Sequence, residues 1–328
     1  MKRLIAGLGA AALMAAGCGG GTPSGSGSDT VKVGLITKTE TNPFFVKMKE
    51  GATAAAKAQG AELMSAAGKF DGDNASQITA IENMVAAGVK GILITPSDTK
   101  AIVPAIKKAR DAGVLVIALD TPTEPQDATD ALFATDNFKA GELIGQYAKA
   151  AMAGKPAKIA TLDLAPGITV GKLRHDGFLK GFGVAEGDPS IVCSQDTQGD
   201  QSKGQTAMEN CLQKAPDINL VYTINEPARP RRPHRAEGQG HRQGRARGLR
   251  RRRLHRHQGR QERSDRRHLP AVPAEDGGES GVKAVTDFAK GGKKATGYTD
   301  TGVTLITDKP VAGVAAKDTA FGLANCWG

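Results

Sequence analysis

Six side chains that suit a polyhydroxylated ligand follow the predicted strands of this sequence. They are two amides, two aromatic rings, a carboxylate and a guanidinium: Asn42, Phe44, Phe45, Asp120, Arg174 and Asn225. An amide both donates to and accepts from hydroxyl groups, a carboxylate accepts two hydroxyl bonds, and a guanidinium donates to vicinal hydroxyls or to a ring oxygen. Aromatic rings stack on C–H faces. These residue types together predict a site for a sugar or another polyol.

Some of these residues also have a structural explanation. One of the two phenylalanines could belong to the core, Asp120 could cap a helix or close a turn, and Arg174 could form a surface salt bridge. Asp136 and Asn137 begin a predicted helix, and we interpret them mainly as capping and hinge residues. The sequence has no Ser/His/Asp or Cys/His set, no metal-ligand spacing and no phosphate-binding glycine loop. We therefore expect no enzyme, no metal site and no cofactor.

The elements that must position these side chains alternate between strand and helix, with a repeat of about 30 residues. Apolar runs predict strands at 31–37, 61–67, 90–96, 114–120, 157–163, 189–193 and 218–224. Amphipathic spacing predicts helices at 44–59, 75–87, 100–112, 138–152, 170–183 and 203–214. This alternation predicts an α/β fold of two doubly wound parallel-sheet lobes. Ligands of such sheets bind outside the carboxyl ends of the strands, where the six side chains are expected to lie.

Six motifs carry a family resemblance: TNPFF (41–45), LITPSD (93–98), ALDTP (118–122), TDNFKAGELIG (135–145), LRHDGF (173–178) and TINEP (223–227). As a set they resemble the periplasmic sugar-binding proteins of bacterial ABC importers, of the ribose- and fructose-binding type. The resemblance covers about 31–227 and 280–307. It implies a periplasmic binding protein-like I fold, in which two lobes joined by hinge crossovers hold a monosaccharide and present it to ABC permease subunits. It also implies that the six residues named above line the sugar cleft.

The resemblance also implies which sugar is preferred and where the two lobes lie in the sequence. Many ribose-binding members carry Arg directly after the residue that matches Asp120, whereas this chain has Thr121, which favours a hexose such as fructose over ribose. We expect an N-terminal lobe of 30–134 plus about 270–298, and a C-terminal lobe of 135–269 plus about 299–328. We also expect a monomer.

The stretch 228–279 differs in composition from the rest of the chain. It holds 16 of the 19 arginines, five of the six histidines and no lysine, and its 16 arginines less six acidic residues give the whole net charge of +10. Either it is a basic segment, or it was translated out of frame. A one-base shift of each codon allows an Asp in place of Arg251 and a Gln in place of Pro270 or Ala271, the two further cleft residues that the resemblance implies. We therefore interpret the stretch as frameshifted and expect it to be disordered, which would leave an impaired receptor.

The N-terminus has the pattern of an export signal. Lys2 and Arg3 precede an apolar run of signal-peptide length, and small residues lead up to Cys18. We predict a lipoprotein signal at 1–18, with a lipidated Cys18 that anchors the chain to the membrane, and a Gly/Ser tether at 19–29. Plain secretion is the alternative.

Export also bears on the remaining cysteines. In an oxidising compartment Cys193 and Cys211 could form a disulfide, and Cys326 would then lack a partner. If the frame were restored, another cysteine could occupy position 254 and supply one.

Two other function classes share some of these features. A sugar-responsive transcription regulator has the same two-lobe core, but it needs an N-terminal helix-turn-helix where this chain has an export signal. A nucleic-acid-binding protein could use the Arg-rich stretch. That stretch, however, interrupts the β-α series, lacks interleaved aromatics and belongs to an exported chain, so we expect no nucleic-acid partner.

Overall fold

The structure is a computed structural model that describes residues 30–229, 269–271 and 274–325. The predicted export signal with Cys18, the tether and Cys326 lie outside the described residues. So does the Arg-rich stretch with Arg251, apart from residues near its two ends. In the described ranges, no helix has both the length and the apolar character needed to cross a lipid bilayer.

A fully parallel sheet of six strands organises the N-terminal half of the described chain. In chain order its strands are β1 (Lys32–Thr37), β2 (Glu62–Ala67), β3 (Gly91–Ile94), β4 (Leu115–Leu119), β5 (Ala131–Ala134) and, after the second sheet, β10 (Gly297–Asp300). Their spatial order is β10-β5-β4-β3-β1-β2. The central strands β3 and β4 are buried along their whole length, because helices cover both faces of the sheet.

Four helices supply those covering layers: α1 (Pro43–Gln59), α2 (Asn74–Ala86), α3 (Val103–Asp111) and α7 (Ala274–Ala289). Helices α1 and α7 share one core cluster with the sheet, and α2 and α3 share the other. Helix α1 begins at Pro43, after the short segment 38–42 that follows β1, because the Asn42 side chain accepts a hydrogen bond from the Phe44 amide and Pro43 occupies the first turn. It ends at Gly60, which has a φ of 66°. This start places both phenylalanines of the first turn at the carboxyl end of β1.

A smaller parallel sheet organises the middle of the chain. Its strands are β6 (Ile159–Asp163), β7 (Ile191–Asp196) and β8 (Leu220–Thr223), in the order β7-β6-β8, and its helices are α4 (Asn137–Met152), α5 (Thr169–Phe182) and α6 (Gln201–Lys214). A disulfide between Cys193 and Cys211 links β7 to α6, with the Cα atoms 5.6 Å apart. The remaining elements are an antiparallel pair, β9 (Leu269–Ala271) and β11 (Thr304–Ile306), and a final helix α8 (Thr319–Asn325).

Helices α4 and α5 approach so closely that glycine on one faces backbone on the other. A Cβ atom at Gly141 would lie 2.0 Å from the carbonyl oxygen of Arg174, and one at Gly177 would lie 2.1 Å from that of Phe138. Carbon and oxygen cannot approach to such distances, so the packing requires glycine at both positions. The contact fixes the backbone of Arg174 against the start of α4.

Two chain segments that leave the first sheet run side by side. One follows β5 and leads to α4, and the other follows β10 and leads to β11. The Thr135 hydroxyl donates to the carbonyl oxygen of Gly302 at 2.9 Å and lies 3.3 Å from the Thr301 hydroxyl. The two segments that leave the first sheet are therefore hydrogen-bonded to each other.

The predicted α/β fold with parallel sheets is confirmed. Each strand and helix predicted from apolar periodicity occurs, with ends that differ by a few residues. The periodicity does not predict β5, β10 or β11. These are short strands of three or four residues, and β10 is exposed along its whole length.

Candidate functional site

The carboxyl ends of the two parallel sheets face each other across one pocket, and all six residues predicted from the sequence line it. The first sheet contributes Asn42, Phe44, Phe45 and Asp120, and the second contributes Arg174 and Asn225. The lining also includes Lys38, Asp71, Leu164, Val170 and Glu226. The described residues contain no cluster of His, Cys, Asp or Glu that could hold a metal ion.

Asp120 presents an unbonded carboxylate oxygen to the pocket. The residue is 8% exposed, and its φ of 60° lies in the left-handed region, which few non-glycine residues adopt. Its Oδ2 accepts from the Thr121 hydroxyl at 2.9 Å, whereas its Oδ1 is buried without a hydrogen-bond partner among the described residues. Strained backbone of this kind concentrates at functional sites. Asp120 is not the N-cap of any described helix, so the capping explanation does not hold.

Arg174 reaches across the pocket from α5 and is held by several acceptors. Its Nε donates to Asn137 Oδ1 at 2.8 Å and its Nη1 donates to the Ile224 carbonyl at 3.3 Å. Its Nη2 lies 3.6 Å from Asp120 Oδ1. The side chain is only 15% exposed, so the explanation as a surface salt bridge does not hold. Arg174 and Asp120 form instead an ion pair inside the pocket.

Asn137 is a supporting residue whose role the sequence interpretation missed. Asp136 does cap α4, because its carboxylate accepts from the Lys139 amide at 2.8 Å. Asn137, however, is buried, and its amide group donates to the carbonyl oxygens of Asp120 and Thr135 at 3.0 and 3.1 Å. Since its oxygen also accepts from Arg174, this one side chain positions both members of the ion pair.

The two phenylalanines have different environments. Phe45 is 5% exposed and belongs to the core of the first sheet, whereas Phe44 is half-buried and packs against that core from the pocket side. Their ring centroids lie 5.3 Å apart at an angle of 71°. Phe45 therefore supports the wall, and Phe44 is the ring better placed to meet a ligand.

The two predicted amides are fixed by bonds to backbone. Asn42 accepts from the Phe44 amide at 3.0 Å. Asn225 accepts from the Ala228 amide at 2.9 Å and donates to the Gly199 carbonyl at 3.4 Å. These bonds set the orientation of both carboxamides at the pocket wall.

Three charged pocket residues were not predicted. Lys38 directly follows β1 and is 2% exposed, and its Nζ lies 3.8 Å from Asp71 Oδ1. Burial raises the pKa of the Asp71 carboxyl, and the Lys38 charge opposes that shift. Burial also raises the pKa of Glu226. Lys38 could have been noticed because it directly follows a predicted strand. Asp71 could have been noticed because it lies in the loop after β2.

Outside the pocket, His175 lies between two carboxylates on the solvent side of α5. Its Nδ1 is 2.9 Å from Asp163 and its Nε2 is 2.8 Å from Glu186. The hydrogen bond to Asp163 is the main cause that raises the pKa of His175 from 6.5 to about 9, and burial opposes it.

This arrangement predicts a pH-dependent contribution to stability. Because the folded pKa of His175 is raised, the contribution is complete below pH 6.5 and is lost as the pH rises through about 9. We expect the stability advantage of the parent over His175→Gln, measured by urea unfolding, to shrink between pH 6.5 and pH 9. An advantage that stays constant across this interval would contradict the assignment.

The comparison with protein families decides the class of the chain. A family described as "periplasmic binding protein domain" matches residues 33–231. The chain belongs to the periplasmic binding protein family. Among curated members, the ribose import binding protein RbsB of Bacillus subtilis is 35% identical over 205 residues, which cover 62% of this chain and 65% of that protein. The match thus spans just under two thirds of that relative. RbsB of Escherichia coli is 31% identical over 228 residues, 69% of this chain and 72% of that protein.

Solved structures of ABC transporter solute binding proteins share the fold of this periplasmic binding protein. One from Mycobacterium smegmatis with bound glycerol is 24% identical, with a TM-score of 0.68 over 84% of this chain and 93% of that chain. Another from Actinobacillus succinogenes with bound D-allose is 20% identical, with a TM-score of 0.67 over 85% of this chain and 98% of that chain.

Proposed function

We propose that this periplasmic binding protein is the substrate-binding component of an ABC sugar importer. It binds a monosaccharide between its two lobes and releases it unchanged to permease subunits. The observation that carries the proposal is the buried, unbonded Oδ1 of Asp120 opposite Arg174, in a pocket built from the carboxyl ends of both sheets. A ligand hydroxyl bonded to that oxygen would satisfy a buried acceptor, which is costly to leave unpaired.

The proposed site uses six residues for the sugar. Asp120 and Arg174 bond its hydroxyl groups, Phe44 stacks on it with Phe45 behind, and Asn42 and Asn225 supply amide contacts. Closure of the lobes of 30–134 plus about 270–298 and 135–269 plus about 299–328 encloses the ligand, and the reverse motion releases it.

The proposed location is outside the cytoplasmic membrane. The family is named for the periplasm, and the sequence begins with an export pattern that ends at Cys18. We further propose a monomer held at the membrane by a lipid on Cys18. Neither the family match nor the names of the relatives supports a transcription regulator or a nucleic-acid-binding protein.

Curated relatives are named for ribose and for allose. Thr121 still favours fructose over ribose, because it places a short hydroxyl, bonded to Asp120 Oδ2, where many ribose-binding members carry a guanidinium. Test ligands must therefore include both aldoses and ketoses.

Calorimetry with D-ribose, D-allose, D-arabinose and D-fructose tests the proposal. Two proteins are compared: the present chain of residues 1–328, and a frame-restored chain in which the codons of 228–279 are shifted back by one base. We expect the frame-restored chain to bind at least one of the sugars, fructose more tightly than ribose. We expect the chain as given to bind more weakly, because it lacks the acid and the amide that the restored frame supplies.

The outcomes distinguish the proposed function from the frameshift interpretation. If neither protein binds any of the four sugars, the proposed function is wrong. If both bind the same sugar equally well, the function stands and the frameshift interpretation is wrong.

A further inference from the structure

A second, larger cavity adjoins the pocket, and we call it the outer cavity. Its volume is about 590 Å³, within the range of sites that enclose small-molecule ligands. The loops after β1 and β2 form one wall, and the loops after β7 and β8 form the other. It shares part of its lining with the pocket: Asn42, Phe45, Asp71 and Glu226. The outer cavity therefore lies where a ligand longer than the pocket would continue.

The outer cavity is open although the two sheets already contact each other elsewhere. The amide and the hydroxyl of Thr99, after β3, donate to the carbonyl oxygen of Gly167, after β6, at 3.4 and 3.0 Å. Arg174 also lies 3.6 Å from Asp120 across the pocket. Complete separation of the two sheets therefore does not explain the open space, because it remains while both sheets are in contact.

Phe70 forms an apolar part of the outer cavity. It is 54% exposed, more than any other large hydrophobic side chain among the described residues. Its loop is fixed by hydrogen bonds, because the Lys69 amide donates to Asp73 Oδ2 at 3.0 Å and the Asp73 amide donates to the Phe70 carbonyl at 3.1 Å. A single exposed phenylalanine needs no explanation. One that a fixed loop holds at a ligand-sized cavity offers an aromatic ring to the occupant of that cavity.

The opposite wall is polar and also fixed. The backbone amide of Gln198 donates to Asp196 Oδ1 at 2.7 Å. Lys203 lies in the first turn of α6, which Asp200 caps by accepting from the Lys203 amide at 3.0 Å. The Lys203 ammonium donates to the Gln198 carboxamide oxygen. An ammonium carries three donors and a carboxamide carries two, so this wall keeps donors for ligand hydroxyl groups beyond the bond between these two side chains.

We propose that the outer cavity is a second subsite, which holds another sugar ring joined to the sugar in the pocket. The chain accordingly binds a disaccharide, with the added ring stacked on Phe70 and its hydroxyl groups bonded to Gln198 and Lys203. An aromatic ring on one wall and hydrogen-bond donors on the other suit the C–H face and the hydroxyl edge of a sugar. This inference rests on the proposed function, which places the first ring, and extends its ligand class from monosaccharides to disaccharides.

Calorimetry on the present chain and on the frame-restored chain tests the proposal. Every residue that lines the outer cavity precedes 228, so both proteins carry it unchanged. The ligands are D-ribose, D-allose, D-arabinose and D-fructose, and the disaccharides that carry glucose on each hydroxyl group of these sugars in turn. We expect at least one disaccharide to bind as tightly as its parent monosaccharide or more tightly, because contacts of the second ring offset the cost of ordering it.

Phe70→Ala distinguishes contact with the second ring from support of the pocket. We expect this variant to weaken binding of that disaccharide by about 10-fold and to leave binding of the monosaccharide unchanged, because only the added ring meets Phe70. Unchanged monosaccharide binding also shows that the variant folds. The matched control is Phe321→Ala, which removes a phenylalanine that is 37% exposed on α8 and lines neither cavity. We expect it to leave the affinity for both ligands unchanged.

Three results would contradict the proposals in different ways. If every disaccharide binds more weakly than its monosaccharide, the protein closes over one ring, so the second subsite is wrong and the proposed function stands. The second subsite is also wrong if Phe70→Ala weakens both ligands by the same factor, since Phe70 then supports the pocket. If neither protein binds any monosaccharide or disaccharide, the proposed function itself is wrong. A disaccharide that binds where its monosaccharide does not would support the second subsite.

Discussion

Asp120→Ala in the frame-restored chain is expected to weaken sugar binding by about 2–4 kcal/mol, or roughly 30- to 700-fold. The substitution removes the buried Oδ1 acceptor and leaves the Arg174 guanidinium without its carboxylate partner. Loss of a charged partner inside a closed site costs more than loss of an exposed contact. Calorimetry with the tightest-binding sugar measures the effect.

The control for this prediction is Asp111→Ala. Asp111 is exposed at the end of α3 and pairs with Lys107 in solvent, so we expect unchanged affinity and a small effect on stability. If Asp120→Ala costs less than about 0.5 kcal/mol, within the range of ordinary surface changes, Asp120 is a turn residue and does not contact the sugar.

Gly141→Ala and Gly177→Ala are each expected to destabilise the protein by about 3 kcal/mol or more. The new Cβ would lie 2.0 Å from the carbonyl oxygen of Arg174 in the first variant and 2.1 Å from that of Phe138 in the second. In each variant the new Cβ meets a backbone oxygen of the facing helix. Neither atom can rotate away, so the helices must separate. Urea unfolding measures the loss, and weaker sugar binding should accompany it because Arg174 moves with α5.

Gly277→Ala, made in the chain without frame restoration because position 277 lies within 228–279, is the control for the glycine variants. Gly277 is also a buried helical glycine, but its added Cβ would meet its nearest neighbour, Leu119 Cδ2, at an ordinary 4.0 Å. We expect this variant to gain up to about 1 kcal/mol, since alanine is the better helix former. If all three variants behave alike, the close contact between α4 and α5 does not determine stability.

The candidate site could be predicted as far as side-chain type and strand position allow. Asn42, Asp120 and Arg174 stand out because amide, carboxylate and guanidinium groups suit hydroxyl groups, although residue type alone did not exclude a turn role for Asp120 or a surface ion pair for Arg174. Lys38 was missed because a lysine after a strand is normally solvated, and its burial depends on how the segment that carries Asp71 folds over it. That arrangement is tertiary, so the position of Lys38 after a strand indicates a place at the sheet edge but does not predict its burial.

The limits for the fold have a similar origin. Strands such as β1 and β4 can be recognised in the sequence as long apolar runs, because both faces of a parallel strand are buried. The strands β5 and β10 are four residues each, and β10 has no buried residue to mark it. An exposed strand such as β10 forms because its neighbour offers free backbone groups, and the sequence of the strand itself does not contain that information.

The bond between Thr135 and Gly302 has a mechanical consequence. Two segments joined by a hydrogen bond at one point can bend together about a shared axis, whereas sliding one past the other would break that bond. The bond thereby favours rotation of one sheet relative to the other, through few backbone torsions, over translation of one sheet past the other. A swing of this kind would change the separation between Asp120, which follows β4 of the first sheet, and Arg174, which lies on α5 beside the second sheet.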